Sequence, residues 1–474
     1  MKMLCVLDNQ GYAVEYPSLG VLYLAGIAKD QGNEVQIFDT GLEKNKTLEQ
    51  TISEFSPDLV FMGVYTPSIL TDYKIIEKVK SFISKNAKII VGGPHASAMP
   101  ERTMNECKAI DFLIQGEAEL SFAELIKVLA NNEPVSSVKG IYWRENEKIL
   151  HGPTAELLQN LDTLPFPAYD LIQKYEYKLP QISVGKKLAL VITSRGCPYQ
   201  CTFCHKGTFG AEYRRRTPEN VVAELKWLFE NFHYDEVYFV DDLFTLNKPW
   251  LYKFFELLDQ EGLSFPWKCL GRVDSLVQED YYEMKKHGCY LIQFGVESGN
   301  DVVLKDIKKK TNVATVRKAF EMCAKAGIQT YGFFSLGHRL DTKETVQETI
   351  KFAHSLKCDF LSFFVINPFP GTETFSYLTE SPEKYDWSNY SFFTDSGNTK
   401  LSISSVEGKD LHEFASHAQK AYFSRASYLL RAMLSNAPMN IKKAKLRTWA
   451  SYSLKPQTKQ TLKKLFLIKN FSGS

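Results

Sequence analysis

Short apolar runs alternate with amphipathic stretches along the first part of the chain. KMLCVLD, EVQIFD, LVFMGV, KIIVGG and DFLIQGE read as strands, and PSLGVLYLAGIAKDQG, YKIIEKVKSFISK and AELSFAELIKVLA between and after them carry helical periodicity. Strands that are apolar throughout, separated by helices, predict a parallel sheet covered on both faces. Residues 1–133 are therefore expected to form a doubly wound α/β domain. Residues 134–186 hold one hairpin signal, VKGIYWRENEKILHG, and the proline-rich LDTLPFPAYDL, where Pro165 and Pro167 exclude helix. They are expected to be an inter-domain strap.

A second alternation begins at Lys187. Its strands are KLALVITSRG, DEVYFVDDLF, PWKCLGRVD, CYLIQFGVES, IQTYGFFSLG and DFLSFFVINPFP, with helices such as PENVVAELKWLFENF and TVRKAFEMCAKAG between them. Six βα units, two short of a closed barrel, predict a partial, open (β/α) barrel over 187–375. Residues 376–474 read as a mainly helical C-terminal region.

Both architectures bind ligands at the carboxyl ends of their strands. In the first domain those ends carry GVYTPS (Gly63, Thr66), GGPHAS (Gly92, Gly93, Pro94) and GEAE (Gly116, Glu117). Glycines let backbone approach a ligand, although such turns also serve ordinary chain reversal. In the second domain they carry a cysteine triplet after strand one, Asp241 and Asp242 after strand two, Arg272 and Asp274 after strand three, Glu297 and Ser298 after strand four, and Asn367 after strand six. Cys289 and Cys358 open strands, Cys269 is mid-strand and Cys323 lies on a helix; all four are expected to be structural thiols.

Length and composition sharpen this picture. At 474 residues, 44% hydrophobic and 24% charged, the chain is that of a folded protein of two or three domains. Nine cysteines, six of them scattered, do not make a disulfide scaffold. Asp8 interrupts the N-terminal apolar run and no stretch reaches the length of a membrane span, so a cytoplasmic location is expected. The net charge of +2 conceals a split: Phe414 to Ser474 contains 12 Lys or Arg and no Asp or Glu. This basic tail, interleaved with apolar residues, reads either as a solvated helical cap or as a surface for peripheral contact with an anionic membrane.

The triplet, in GCPYQCTFCH, admits three chemistries. Cys197, Cys201 and Cys204 can hold an iron–sulfur cluster with one open iron. With His205 they could close a zinc site, although a ribbon would need a second cysteine pair. CTFCH also matches the c-type haem attachment pattern, which requires export.

GCPYQCTFC directly after the first strand of a six-unit barrel resembles the radical S-adenosylmethionine (SAM) enzymes. The resemblance covers 187 to about 375 and implies that Cys197, Cys201 and Cys204 ligate a [4Fe-4S] cluster whose open iron chelates SAM. It implies further that Phe203 packs on the adenine, that Asp241 or Asp242 holds the SAM amino group, and that Glu297 and Ser298 contact its ribose and methionine part. Two departures stand out: VDDLF lacks a glycine pair, and GFFSLGHRLDTKET replaces a Gly-Leu-Pro-Gly-Glu-like turn.

The first domain, through PSLGVLYLAGIAKDQGNEVQIFD, IIVGGPHAS and FLIQGEAELSF, resembles the cobalamin-binding domain of the subfamily that couples cobalamin to radical SAM chemistry. This implies cobalamin contacts at Ser18, Gly63, Thr66, Gly92, Gly93, Pro94, Gly116 and Glu117. Relatives that supply an axial His do so from a D-x-H-x-x-G loop; here DNQGYA places Gln10 and Ala13 at those positions, so cobalamin is expected base-off with no protein His on cobalt. His95, after strand four, is expected to face backbone or solvent. The commonest reaction of the subfamily is methylation of an unactivated carbon, with one SAM methylating cobalamin and a second giving a 5'-deoxyadenosyl radical. Non-methylating rearrangement, cyclisation or oxygen insertion on a lipid-like or tetrapyrrole substrate is the alternative. A one-electron reductant such as flavodoxin or ferredoxin is implied as partner. Transfer RNA methylthiotransferases need three N-terminal cysteines where this chain has Cys5 and Cys107, and a zinc-bearing nucleic-acid module is the non-enzymatic alternative.

Overall fold

A computed structural model describes residues 1–9, 16–180, 182–378, 385–390, 401–435 and 437–454. The chain divides into two compact units. The first comprises Met1–Lys178, Thr193–His233 and Pro368–Ser391; the second comprises Leu179–Ile192, Tyr234–Asn367 and Phe392–Ser474.

The N-terminal alternation folds as β1 (Lys2–Leu7), α1 (Leu19–Asp30), β2 (Glu34–Asp39), α2 (Leu48–Phe55), β3 (Leu59–Gly63), α3 (Ile69–Phe82), β4 (Lys88–Gly92), α4 (Pro94–Ala98), α5 (Pro100–Glu106), β5 (Phe112–Ile114) and α6 (Ala118–Asn131). Strand order β2-β1-β3-β4-β5 is parallel throughout, which places the topological switch point between β1 and β3. β1, β3, β4 and β5 are buried over almost their whole length, as a sheet covered on both faces requires.

The expected strap is part of this domain. β6 (Ile141–Glu145) pairs antiparallel with β5, and β7 (Lys148–His151) with β6, so the sheet has seven strands. The hairpin covers an edge of β5 that would otherwise present unpaired backbone groups. No helix forms at Pro165 or Pro167. Tyr169 there is fully buried, and the Tyr175 hydroxyl donates to the Ile37 carbonyl at 2.9 Å.

After β8 (Leu188–Val191) the chain makes the small antiparallel pair β9 (Ser194–Arg195) and β10 (Arg214–Arg215), then α7 (Pro218–Phe232). These last three group with the N-terminal unit, although β8 before them opens the six-stranded sheet of the second. The cause is a buried ionic lattice: Arg195 pairs with Glu117 at 2.5 Å and Glu119 at 2.6 Å, and Arg214 pairs with Glu117 at 2.6 Å. Phe166 packs on Trp227 of α7 with ring centroids 5.5 Å apart.

The second unit continues with β11 (Glu236–Phe239), α8 (Lys248–Gln260), β12 (Trp267–Gly271), α9 (Gln278–Lys286), β13 (Cys289–Glu297), α10 (Asp301–Asp306), α11 (Val313–Ala326), β14 (Gln329–Leu336), α12 (Lys343–Ser355) and β15 (Phe360–Val365). The sheet order β8-β11-β12-β13-β14-β15 is sequential and wholly parallel, the open barrel of six strands expected from the pattern. Its far edge is managed by α13 (Gly408–Phe423) and α14 (Ala426–Leu434): Gln419 accepts from the Phe363 N–H of β15, and Tyr422 donates to the Cys358 carbonyl at 2.6 Å. α15 (Met439–Ser453) packs Ile441 and Ala444 against Tyr290, Leu291 and Phe360, at the amino-terminal ends of the strands. No helix among the described residues is long and apolar enough to cross a membrane.

Candidate active site

The cysteine loop has a rigid foot. Gly196 adopts φ +78, and a Cβ there would lie 2.0 Å from the Glu212 carbonyl oxygen, so glycine is required where the loop leaves β9. Arg214 also donates to the carbonyls of Leu158 at 2.6 Å and Phe209 at 2.9 Å. Within the loop Lys206 donates to the carbonyls of Cys197 and Tyr199, and the Cys204 N–H donates to the Cys201 carbonyl at 3.1 Å. Cys201 is buried, Cys197 half-buried and Cys204 exposed, while Phe203 is half-buried.

Three thiols on one short, braced loop suit an iron–sulfur cubane, whose irons are spaced corners each needing a separate thiolate. His205 does not face outward as a fourth ligand would. Its ring is wedged so that a Cβ on Gly207 or on Gly371 would come within 2.7 Å of it, and burial lowers its pKa. The segment bearing Gly371 is fixed to the same loop by the Thr374 N–H donating to the Thr202 carbonyl at 3.0 Å.

In the second unit the carboxyl ends of the strands carry the acidic residues expected there. Asp241 and Asp242 follow β11; the first is fully buried and the second exposed. Arg272 after β12 forms a bidentate pair with Asp274 at 2.8 and 2.9 Å and donates to the Lys309 carbonyl. Asn367 follows β15 and is half-buried.

Glu297 closes β13 at φ +68, where the ladder with β14 shifts register. Left-handed backbone at a non-glycine is sparsely populated and persists where surroundings impose it. Here Lys309 lies 2.9 Å from one carboxylate oxygen and the Ser335 hydroxyl donates to the other at 2.9 Å. Burial works against the charge, but Lys309, His338 and Ser335 outweigh it and hold the carboxyl below the usual range. Ser335 in turn lies 2.8 Å from His338 Nε2, and Asp341 accepts from the backbone of Gly337 and His338. Burial lowers the His338 pKa. Ser335, His338, Asp341 and Lys309 were not singled out from sequence; the signal was the polar SLGHRLD where an ordinary glycine-proline turn was expected.

Ser298 does not present its hydroxyl outward as a SAM contact would. It is buried, 3.1 Å from the Thr349 hydroxyl, and accepts from the Asn300 N–H, so it braces the start of α10.

In the first unit Gly63, Gly92 and Gly116 stand at or just beyond the ends of β3, β4 and β5, and Ser18 precedes α1. Gly93 has φ +103, and a Cβ would meet the Val64 carbonyl oxygen at 3.0 Å; Pro94 then opens α4. The glycines let the backbone turn closely along this carboxyl edge, and Gly63 at the end of β3 adjoins the switch point at which such sheets bind ligands. The positions of Gln10 and Ala13 fall outside the described residues. Thr66 is buried, with its hydroxyl 2.9 Å from His95 Nδ1. His95 is neither solvated nor turned to backbone, as sequence suggested: it is fully enclosed, edge-on to Trp387 at 4.9 Å, and burial pulls it down to about 4. Glu117 is likewise not open to a ligand, because its carboxylate serves Arg195, Arg214 and the Leu158 N–H.

Comparison with known proteins converges on this geometry. The radical SAM superfamily model matches residues 191–353 and the B12 binding domain model residues 10–126. A Pyrococcus horikoshii protein named an uncharacterized methyltransferase is 34% identical over 387 residues, covering 80% of this chain and 83% of its own length. The anaerobic magnesium-protoporphyrin IX monomethyl ester cyclase of Cereibacter sphaeroides is 29% identical over 81% of this chain and 63% of its own length. Among solved structures, the cobalamin-dependent SAM radical enzyme OxsB, with aqua-cobalamin and SAM bound, has a TM-score of 0.73 at 17% identity, covering 98% of this chain and 75% of that one. At that identity the likeness is one of fold.

Proposed function

Because the chain belongs to the radical SAM superfamily, in the branch that carries a B12-binding domain, we propose that it is a C-methyltransferase acting on an unactivated carbon. The observation that carries this reading is the braced triplet of Cys197, Cys201 and Cys204 in a chain whose first domain has a cobalamin-type switch-point sheet. When bound, the cluster supplies the electron that cleaves SAM to a 5'-deoxyadenosyl radical, and cobalamin carries the methyl group. The three cysteines hold the cluster and Phe203 packs on adenine. Asp242, exposed at the end of β11, holds the SAM amino group, with the buried Asp241 behind it. Glu297, kept charged by Lys309 and Ser335, takes the ribose and methionine part.

Ser18, Gly63, Thr66, Gly92, Gly93, Pro94 and Gly116 line the cobalamin edge, with no protein His on cobalt. A flavodoxin or ferredoxin supplies electrons, the substrate is small or lipid-like, and the enzyme works in the cytoplasm with peripheral contact to anionic membrane through its basic C-terminal region.

Methyl-labelled SAM tests the reaction. Label is expected in the product of the reconstituted enzyme, alongside unlabelled 5'-deoxyadenosine. Radical formation without labelled product would favour ring closure of the kind named for the cyclase relative.

Ser335→Ala probes the SAM end. It removes one hydrogen bond to a charged carboxylate, a contribution of about 1.5–3 kcal/mol. SAM affinity by equilibrium dialysis is expected to fall, because Glu297 loses one of the two groups that position its carboxylate, with iron content unchanged. Unchanged affinity would show that Ser335 does not position Glu297 for SAM.

A further inference from the structure

α15 has two unlike faces. Ile441, Ala444 and Lys445 are buried on one face, and Lys445 is ion-paired with Asp359 at 2.5 Å. The basic pattern read from sequence is thus partly internal, since Lys445 points inward. The opposite stripe, at helical spacing, is Met439, Lys442, Lys443, Leu446 and Arg447; Met439 is 62% exposed. α14 shows the same division: Tyr428 and Ala432 are buried, while Leu430, Met433 and Leu434 lie on its outer face, with Leu434 80% exposed. Large apolar side chains this exposed and this close together mark an interaction surface. The segment that carries them supplies charge of one sign, because no Asp or Glu occurs from Phe414 to Ser474.

We propose that the end of α14 and the start of α15 form a membrane anchor: Met433, Leu434 and Met439 enter the headgroup boundary of an anionic bilayer, with Lys442, Lys443 and Arg447 at headgroup level. Charge complementarity selects the anionic surface. The exposed Leu and Met side chains select a bilayer over nucleic acid, whose phosphates would use the cations and leave the apolar tip in water.

The anchor lies with the amino-terminal ends of the strands, where α15 packs on Tyr290, Leu291 and Phe360. Asp241, Asp242 and Glu297 stand at the carboxyl ends of the same sheet. The contact therefore holds the enzyme at the membrane without covering that end. This deepens the peripheral-contact part of the function proposed above and is independent of the radical chemistry, since binding is read without cofactors.

Full-length protein is floated with phosphatidylcholine vesicles with and without phosphatidylglycerol. Binding is expected to be about tenfold stronger to the anionic vesicles and to weaken with added salt. Leu434→Ser with Met439→Ser, and separately Lys442→Glu with Lys443→Glu, are each expected to lower it about tenfold, with circular dichroism unchanged. A chain ending at Leu454 is expected to retain binding above that of both double variants. Equal binding to both vesicle types, binding unaffected by both double variants, loss of all binding in the shortened chain, or displacement from vesicles by duplex DNA would overturn the proposal.

Discussion

Replacing any one of Cys197, Cys201 or Cys204 by Ala is expected to abolish SAM cleavage and to reduce bound iron from about four per chain to background. A cubane held by three protein thiolates has no spare ligand, and the six other cysteines offer no substitute. Cys5, Cys107, Cys269, Cys289, Cys323 and Cys358 are all buried. Burial pushes the Cys107 thiol up to about 11 and raises those of Cys5, Cys269, Cys323 and Cys358 as well, so these groups stay protonated and inert. The fold should survive, because Cys204 is exposed, Cys197 half-buried, and the ionic foot of the loop involves none of the three.

Iron and sulfide analysis, the visible spectrum of anaerobically reconstituted protein and the yield of 5'-deoxyadenosine measure the effect. His205→Ala is the matched control: it empties the niche beside Gly207 and Gly371 yet leaves the donor set, so iron should stay near the unmodified level. A cysteine variant that kept four irons and cleaved SAM would remove the triplet from the site. Loss of the cluster in His205→Ala would make His205 a ligand.

The strands and the chemistry at their ends were legible because they rest on local signals. Apolar runs such as LVFMG and KIIVG, bounded by turn residues, read as covered strands, and function in such folds sits at their carboxyl ends. What could not be read is which distant partner a polar residue meets. Glu117 follows Gly116 at a strand end, as a ligand contact would, yet it meets Arg195, 78 residues later. His95 was misplaced for the same reason, since Thr66, 29 residues away, holds the imidazole inside, and the Ser298 hydroxyl likewise meets Thr349, 51 residues later. The amphipathic pattern of the C-terminus was visible, but the inward turn of Lys445 depends on Asp359, 86 residues earlier. Periodicity fixes faces, whereas pairing depends on tertiary packing.

Glu117→Ala is expected to be the most destabilising single change in the first unit, by about 3–5 kcal/mol, because it strands two buried guanidinium groups at once. Arg195 and Arg214 are each 3% exposed and cannot turn to water without opening the packing around them. Arg195 keeps Glu119 as a partner, but Arg214 is left with carbonyl oxygens alone. Glu119→Ala, which spares the Arg214 pair and leaves Glu117 on Arg195, should cost less. Urea unfolding of both variants gives the comparison. Because Arg195 and Arg214 sit at the foot of the cysteine loop, the Glu117 variant should also retain less iron after reconstitution, although no cysteine is changed. The opposite pattern, unaltered stability with weakened cobalamin binding, would return Glu117 to the ligand-binding role its place after Gly116 first implied. The buried carboxylate, accepting from two arginines and the Leu158 N–H at 2.9 Å, argues for the first outcome.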